Sequence, residues 1–351
     1  MSQAAAAVAE RPSVSTGGQS AGSDFAPLLR TVKEQGLLDR RVGWYTRTIA
    51  INALALVAVG IGMFLLGGSW WVLLLAPVLS VLCARTAFIG HDACHAQITG
   101  RRSVSRAISL VHANLLLGMS TAWWTDKHNR HHANPNHIEK DPDVAADVLV
   151  WTSKQAKVRV GFRRWLTRNQ AWLFFPLTLL QGIAMKIYGF QDLRRQAPRE
   201  RVIEGLLLVA HLVGYVSLLL LAMPVGHAIA FAAVHQALFG LHLGLAFAPN
   251  HKGMEMPEPG GERLGHLARQ VLTSRNIKGG PVTDWFLGGL NYQIEHHLFP
   301  SMPRPHLRLA RPAVRAHCSE VGMPYTEAAF VDSYRQVLRH MYEVGEPLRV
   351  E

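Results

Sequence analysis

Charged residues are scarce in this sequence. They make up 17% of its 351 residues, whereas hydrophobic residues make up 49%. Together with a mean hydropathy of +0.11, this composition predicts one membrane domain with several spans and argues against two soluble domains. Cysteine is scarce too, and Cys83, Cys94 and Cys318 match neither a disulfide framework nor the spacing of an iron–sulfur cluster. No GxGxxG nucleotide fingerprint is present.

Acidic residues are outnumbered by basic ones, 24 against 36, which gives a formal net charge of +12. In a soluble protein this balance would suit nucleic acid. In a membrane protein it indicates an anionic lipid surface or an acidic protein partner, and we expect no nucleic acid partner.

Residues 1–24 are rich in Ala, Ser, Gly and Gln and lack the basic start and apolar core of a secretory signal. We interpret them as a disordered tail and residues 25–351 as the membrane domain. From Pro27 to Arg47 the sequence is amphipathic, which predicts a helix lying on the membrane surface.

Four apolar stretches are long enough to cross a hydrocarbon core about 30 Å thick. They are residues 48–67, 70–88, 203–223 and 227–248, and the short turns after the first and third predict two transmembrane hairpins. The predicted fold class is therefore all-α and membrane-integral, with interfacial helices and a cytoplasmic cap carrying the histidines. The segments outside the hairpins are basic, so the positive-inside tendency places them and both termini in the cytoplasm. Their basic residues include Arg40, Arg41, Arg47, Arg101, Arg102, Arg163, Arg164, Arg304, Arg308 and Arg311.

Three histidine clusters stand just outside these apolar segments. They read HDACH from His91, HNRHH from His128, and QIEHH from Gln293. Spacings of three or four residues place imidazoles on one face of a helix, where they can converge on a metal. His251 follows the fourth span at the same predicted depth. The candidate ligands are thus His91, His95, His128, His131, His132, His251, His296 and His297.

A single site requires all three clusters to lie on one side of the membrane. An even number of spans must then separate them, so neither 106–124 nor 170–190 is a lone crossing. Other histidines are interpreted differently: His211, His235 and His242 lie within predicted spans, and His242 is expected to be a hydrogen-bonded interior residue. His112 and His137 are expected to be bystanders or to contact ligands indirectly.

Imidazole suits zinc, copper and iron alike, so ligand type alone does not name the metal. The number of ligands is more informative. A zinc site needs about four protein ligands or fewer, whereas eight clustered histidines without cysteine imply two metals.

With order, spacing and membrane position in agreement, HDACH, HNRHH and QIEHH resemble the three histidine boxes of the membrane fatty acid desaturases. The resemblance covers about residues 40–320. It implies two non-haem iron ions held by the box histidines and His251, with O2 as co-substrate and a double bond introduced into a lipid-, CoA- or carrier-linked acyl chain. It also implies an integral membrane location, which we expect to be the bacterial inner membrane.

Gln293 departs from the general family pattern, because many members have histidine there. Glutamine at this position resembles the front-end and some bacterial acyl-lipid desaturases, and Gln293 is expected to bind a metal weakly, to act through water, or only to fill space.

Carboxylates near the boxes are expected either to orient ligands or to serve as solvated charges and helix caps; they are Asp92, Asp126, Asp141, Asp284 and Glu295. Nearby aromatic residues either line an acyl channel or form the membrane-interface belt; they are Trp123, Trp124, Trp285 and Phe286.

Two alternatives stay open at this point. A related diiron hydroxylase acting on alkanes or carotenoids shares the box chemistry, and a histidine-rich metal transporter would explain the histidines within spans.

For a desaturase, two electrons per turnover must come from outside, since no fused b-type cytochrome domain is recognised. We expect a separate acidic donor, such as a ferredoxin with its reductase, to dock on basic residues near the boxes. These are Arg101, Arg102, Lys127, Arg130, Lys140, Arg304 and Arg308.

Overall fold

The computed structural model describes residues 24–349, so the predicted tail lies outside the described residues except for Asp24. The described chain is mostly helical. In this part of the chain, four helices are long and apolar enough to cross a membrane, which confirms the prediction of a helical chain with four candidate spans. They are α2 (Val42–Leu66), α3 (Leu75–Cys94, with a preceding 3-10 turn at Trp70–Leu74), α10 (Pro198–Ala222) and α11 (Val225–His251).

These helices extend beyond the apolar runs that predict them. Helix α3 continues six residues past residue 88, and α11 continues three past residue 248. A helix of about 25 residues is about 37 Å long, whereas the hydrocarbon core measures about 30 Å, so the ends project from it. The projecting C-terminal turns carry His91 and His251.

Helices α3 and α11 form the centre of the bundle. Half of the apolar window is buried in each, against 17% in α2 and α10. The Ser80 hydroxyl of α3 donates to the His235 carbonyl of α11 at 3.0 Å. The outer helices present large apolar side chains, such as Leu65 at 79% exposure and Leu221 at 76%. Such a surface is stable against lipid and identifies an integral membrane protein.

Neither of the two doubtful apolar stretches forms a straight span. Residues 106–124 run through α4 (Arg102–Ser109), a π-helical turn (Leu110–Leu115) and the start of α5 (Thr121–Ala133). Gly118 interrupts this path with φ +69°, a conformation that glycine adopts at low cost. Residues 170–190 form α8 (Gln170–Thr178) and α9 (Gln181–Asp192), which are bent by 74° at the break between them. By length and composition, that bent pair would be a fifth span if counted as one.

The remaining helices are short, apart from two long ones near the C-terminus. They are α1 (Phe25–Glu34), α6 (Ser153–Lys157), α7 (Gly161–Arg168), α12 (His266–Leu272), α13 (Pro281–Phe286), α14 (Gln293–Leu298), α15 (Arg304–Glu320) and α16 (Phe330–Val344). A parallel two-stranded ladder joins β1 (Asn276–Lys278) to β2 (Glu327–Ala329). The all-α description omits this ladder, since strands of three residues are too short to show an alternating pattern.

Helix α1 corrects one prediction. Its apolar face does not lie on the membrane surface, because Leu28 and Val32 are fully buried among residues of α12, α14 and α15. The end of the predicted amphipathic segment belongs to the first turns of α2. An amphipathic pattern shows that a helix has one apolar face but does not say whether protein or lipid covers it.

Candidate metal centre

Four imidazoles from three helices form a first group. His91 and His95 lie at the end of α3, His128 lies on α5, and His296 lies on α14. One nitrogen from each lies within 4.8 Å of the others, a geometry that can hold a metal ion. Since His91 and His95 are four residues apart, the helix directs both rings toward the same side.

A second group of three imidazoles adjoins the first. It contains His131, His251 and His297, again with ligand nitrogens within 4.8 Å of one another. The Nε2 atoms of His131 and His251 are 3.3 Å apart. Neighbouring residues on a helix point about 100° apart, so α14 directs His296 to one group and His297 to the other.

His132 lies between the two groups. Its Nε2 is 3.0 Å from Nε2 of His128, a member of the first group. Its ring stacks at 4.2 Å on His297, a member of the second. All eight predicted histidines are therefore brought together, in two adjoining sets bridged by His132.

The nitrogens of these rings show whether the residues fit metal ions. Several are buried and have no hydrogen-bond partner among residues 24–349: Nε2 of His91, His95 and His297, Nδ1 of His132, and both nitrogens of His296. Each unsatisfied buried polar group costs about 1–3 kcal/mol of stability. A cluster of six such nitrogens therefore indicates a common partner. Metal ions would supply it, because neutral imidazole is a strong ligand for first-row metals. The donor set therefore fits two bound metal ions.

Four of the rings are oriented by a hydrogen bond from Nδ1, which leaves Nε2 directed at the group. The acceptors are Asp92 for His91 (3.0 Å), Asp141 for His131 (2.9 Å), the Thr273 carbonyl for His251 (3.0 Å) and Gln270 for His297 (3.0 Å). Such partners fix the tautomer and the ring orientation of metal ligands. The sequence pattern indicated the two carboxylates but not Gln270 or Thr273.

Burial favours the neutral form of five of these imidazoles. It lowers the pKa of His95, His128, His132, His296 and His297 well below the usual value, and neighbouring imidazoles lower it further. A neutral ring retains the lone pair that a metal requires. The site is therefore ready to bind metal at neutral pH.

Gln293 lies at the edge of the second group. Its Nε2 is 2.9 Å from Nε2 of His251, and its Oε1 accepts a hydrogen bond from Asn250 at 3.2 Å. The side chain thus contacts a candidate ligand, while its own role in metal binding stays a prediction.

Three of the predicted carboxylates have partners outside the histidine groups. Asp126 is exposed and pairs with Arg130 at 2.9 Å. Asp284 accepts from Asn291 and Tyr292. Glu295 is fully buried, where burial raises its pKa, and it accepts from Asn276 and Tyr325, both at 2.7 Å. Glu295 therefore anchors α14 to β1, which positions His296 and His297.

The four aromatic candidates lie in different surroundings. Trp124 stacks on His128 at 4.2 Å and so borders the first group. Trp123 packs near Tyr188, and Trp285 is 48% exposed beneath the Arg85 guanidinium. Phe286 stacks on His242 at 4.1 Å. An acyl channel along these residues stays a prediction.

Three of the histidines set apart from the ligands have ordinary hydrogen-bond partners. His242 donates to the Phe286 carbonyl at 2.8 Å, which confirms its interpretation as a hydrogen-bonded interior residue. His112 bonds the Ile108 carbonyl at 2.8 Å, and His137 accepts from the Glu139 amide at 3.2 Å. None of the three belongs to a group of ligand-type side chains in the described part of the chain.

Asp141→Asn tests the orientation of His131. The Asp141 carboxylate is buried and accepts from the Asn136 and Asp143 amides as well as from His131. Losing the charged partner of a metal-bound histidine lowers metal affinity by about 10–100-fold. We expect Asp141→Asn to lose metal to a competing chelator at a lower chelator concentration than the unaltered protein does, as measured by metal analysis. Asp126→Asn, the same change at an exposed position, is expected to leave metal retention unchanged, and equal losses in both variants would contradict the orienting role.

Comparison with known proteins supports the same conclusion as the geometry. The sequence profile described as "Fatty acid desaturase" matches residues 68–329. The chain is 30% identical to the acyl-lipid (9-3)-desaturase of Physcomitrium patens over 92% of its own length and 63% of that protein's. It is 28% identical to the Delta(6)-fatty-acid desaturase fat-3 of Caenorhabditis elegans, over 93% of this chain and 76% of the relative. It is also 29% identical to the Delta(8)-fatty-acid desaturase 2 of Arabidopsis thaliana, over 86% of this chain and 70% of the relative. The resemblance seen in the three histidine boxes is thereby confirmed, and the chain belongs to the fatty acid desaturase family.

Proposed function

We propose that the protein is an O2-dependent fatty acyl desaturase whose two iron ions are held by the eight histidines. The observation that carries this proposal is the pair of adjoining imidazole groups with unpartnered nitrogens. His91, His95, His128 and His296 would hold one ion. His131, His251 and His297 would hold the other, with His132 between them. When bound, the irons supply the redox chemistry with O2 that removes two hydrogens from adjacent methylenes.

The protein's own contribution is positioning and exclusion of water. Asp92, Asp141 and Gln270 hold three of the rings at fixed tautomers, so the ligand set is organised before turnover. Next to the histidines lies an apolar cluster that includes Phe88, Leu117, Leu287 and Leu290, all buried. Apolar walls of this kind suit a methylene chain and keep water away from the oxidising centre.

The names of two relatives support the substrate class. The Physcomitrium patens relative is named an acyl-lipid desaturase and the Caenorhabditis elegans relative a fatty-acid desaturase. We infer that a fatty acyl chain is the substrate here as well, carried on a lipid, CoA or carrier protein.

Product analysis tests this function. A host that expresses the chain is expected to accumulate fatty acids lighter by two hydrogens than in the empty-vector control, and only in the presence of O2. Products that gain an oxygen atom would identify a hydroxylase instead. Purified protein is expected to contain about two irons, and tightly bound zinc in an active preparation would contradict the proposal.

A membrane topology follows from the shared site. The histidines of α3, α11 and α14 meet at one end of the bundle. At the other end, Gly67 lies against the Ala222 carbonyl, and the Trp70 ring packs on His227 with the ring centres 4.1 Å apart. Because both turns lie at the end opposite to the histidines, these contacts support two hairpins. The basic segments outside the hairpins support a cytoplasmic location for the histidines and both termini, and we propose a bacterial inner membrane. Reporter fusions at Gly68 and Pro224 are expected to be extracytoplasmic, and an extracytoplasmic signal at Ser153 would contradict this arrangement.

We also propose that electrons arrive from a separate acidic carrier, such as a ferredoxin with its reductase. Of the basic residues predicted to receive it, Arg304 is buried in an ion pair and Lys127 pairs with Asp143, which removes both from the docking surface. Exposed charges remain at Arg101, Arg102, Arg130, Lys140 and Arg308, although Arg130 also pairs with Asp126.

Salt tests the docking of this carrier. The Debye length falls from about 10 Å at 0.1 M salt to about 3 Å at 1 M, so steered association weakens. In neutral lipid with limiting donor, we expect the rate of turnover to fall across this range. A rate that does not respond to salt, or turnover on NADPH alone without a carrier, would argue against it.

A further inference from the structure

A second polar cluster lies in the middle of the bundle, away from the metal centre. It lines a cavity of about 340 Å³ between α2, α3, α9, α10 and α11, whose other walls are mainly apolar. Its polar residues include Lys186, His211, Tyr215, His235 and Gln236. Ionisable groups at such depth are costly and mark a functional site unless they satisfy one another.

The Lys186 ammonium has acceptors but no anionic partner. It donates to Gln236 Oε1 at 3.1 Å and lies 3.5 Å from His211 Nε2. His211 Nδ1 donates to the Leu115 carbonyl at 3.1 Å, so its Nε2 carries a lone pair. Within residues 24–349, no ion pair includes Lys186. A half-buried cation without a counter-charge among the described residues favours an anionic ligand.

His235 presents a donor without an acceptor. Because Gln236 Oε1 faces Lys186, the amide nitrogen faces His235 Nδ1 at 3.2 Å and donates to it. The Tyr215 hydroxyl approaches the same Nδ1 at 2.8 Å. Nδ1 is therefore the acceptor and Nε2 carries the proton. His235 is only 3% exposed, and this Nε2 has no hydrogen-bond partner.

We propose that the cavity binds the carboxylate of a single-chain amphiphile, such as an unesterified fatty acid. Lys186 and the His235 Nε2–H would each donate a hydrogen bond to one carboxylate oxygen. A carboxylate can accept from a charged and a neutral donor at the same time. Gly60 and Gly214 line the walls, and a Cβ at either position would meet no atom within 4 Å, which leaves room for the chain. The volume is at the lower end of the usual range for small-molecule sites, which favours one chain over a two-chain phospholipid.

Paired probes test the site in the full-length protein with its metals, in phosphatidylcholine nanodiscs. The probes are labelled dodecanoate and dodecanol, which share a chain length, and empty nanodiscs correct for partition. We expect the unaltered protein to prefer dodecanoate. Lys186→Met should weaken dodecanoate binding by about tenfold or more, while dodecanol binding changes little. Lys157→Met, at an exposed position, serves as the matched control and should change neither.

A variant that fills the cavity gives a second measurement. Gly214→Leu should weaken the binding of both probes, because it removes space and leaves the charge. Two results with the unaltered protein would overturn the proposal even if Lys186→Met failed to fold. One is equal binding of dodecanoate and dodecanol, which would mean that the polar side chains of the cluster hydrogen-bond only to one another and to water. The other is displacement of dodecanoate when phosphatidylglycerol replaces phosphatidylcholine, which would assign the cavity to the headgroup of an anionic phospholipid.

Discussion

Replacing His132 or His297 by alanine is expected to abolish turnover while the protein still inserts and folds. His297 is one of three imidazoles in the second group, and His132 lies against both groups. Loss of either would leave one of the proposed metal ions with too few ligands. Each ring has a buried nitrogen without a hydrogen-bond partner, so its removal from the metal-free protein relieves a cost and should not unfold it. The measurements are product formation and iron content, which should fall from about two to about one per chain in His297→Ala.

His227→Ala is the matched control, because His227 lies near the start of α11 and packs on Trp70 at 4.1 Å. This variant should keep both irons and full turnover. Gln293→Ala should lose less activity than His297→Ala, since Gln293 contacts His251 but an amide is a weaker ligand than imidazole. Full activity in His297→Ala would show that the second group does not hold a catalytic metal.

The candidate ligands could be predicted from the sequence because helical geometry relates spacing to direction. His91 and His95, like His128 and His132, are four residues apart on one helix and point the same way. His251 could be found because α11 continues beyond its apolar run and brings that residue to the level of the others.

The partners of the ligands could not be predicted in the same way. Gln270 and Thr273 belong to the segment around α12, whose position depends on tertiary packing and not on any local pattern. His297 and Gln270 are 27 residues apart, and His251 and Thr273 are 22 apart. Sequence spacing gives no direction for side chains on separate elements. The burial of α1 under α15 was missed for the same reason, since it depends on a contact between the two ends of the chain.

Arg304→Met is expected to cause the largest loss of stability. Arg304, at the start of α15, forms an ion pair with Asp92 on α3 at 2.5 Å. Asp92 is 2% exposed and Arg304 is 9% exposed. Removing one partner of a buried pair leaves the other charge uncompensated and costs about 3–5 kcal/mol. The Tyr45 hydroxyl donates to the same carboxylate at 3.0 Å, but one neutral donor cannot replace the guanidinium.

Thermal unfolding followed by tryptophan fluorescence measures this loss in detergent. Because Asp92 also orients His91, the variant should retain less iron as well as unfold at a lower temperature. Arg308→Met, one turn further along α15 and exposed, is the matched control and should unfold like the unaltered protein. Adding Asp92→Asn to Arg304→Met removes the uncompensated charge and should recover part of the stability. If Arg304→Met unfolded at the same temperature as the unaltered protein, the ion pair would not stabilise the contact between α15 and the end of α3 that carries His91 and His95.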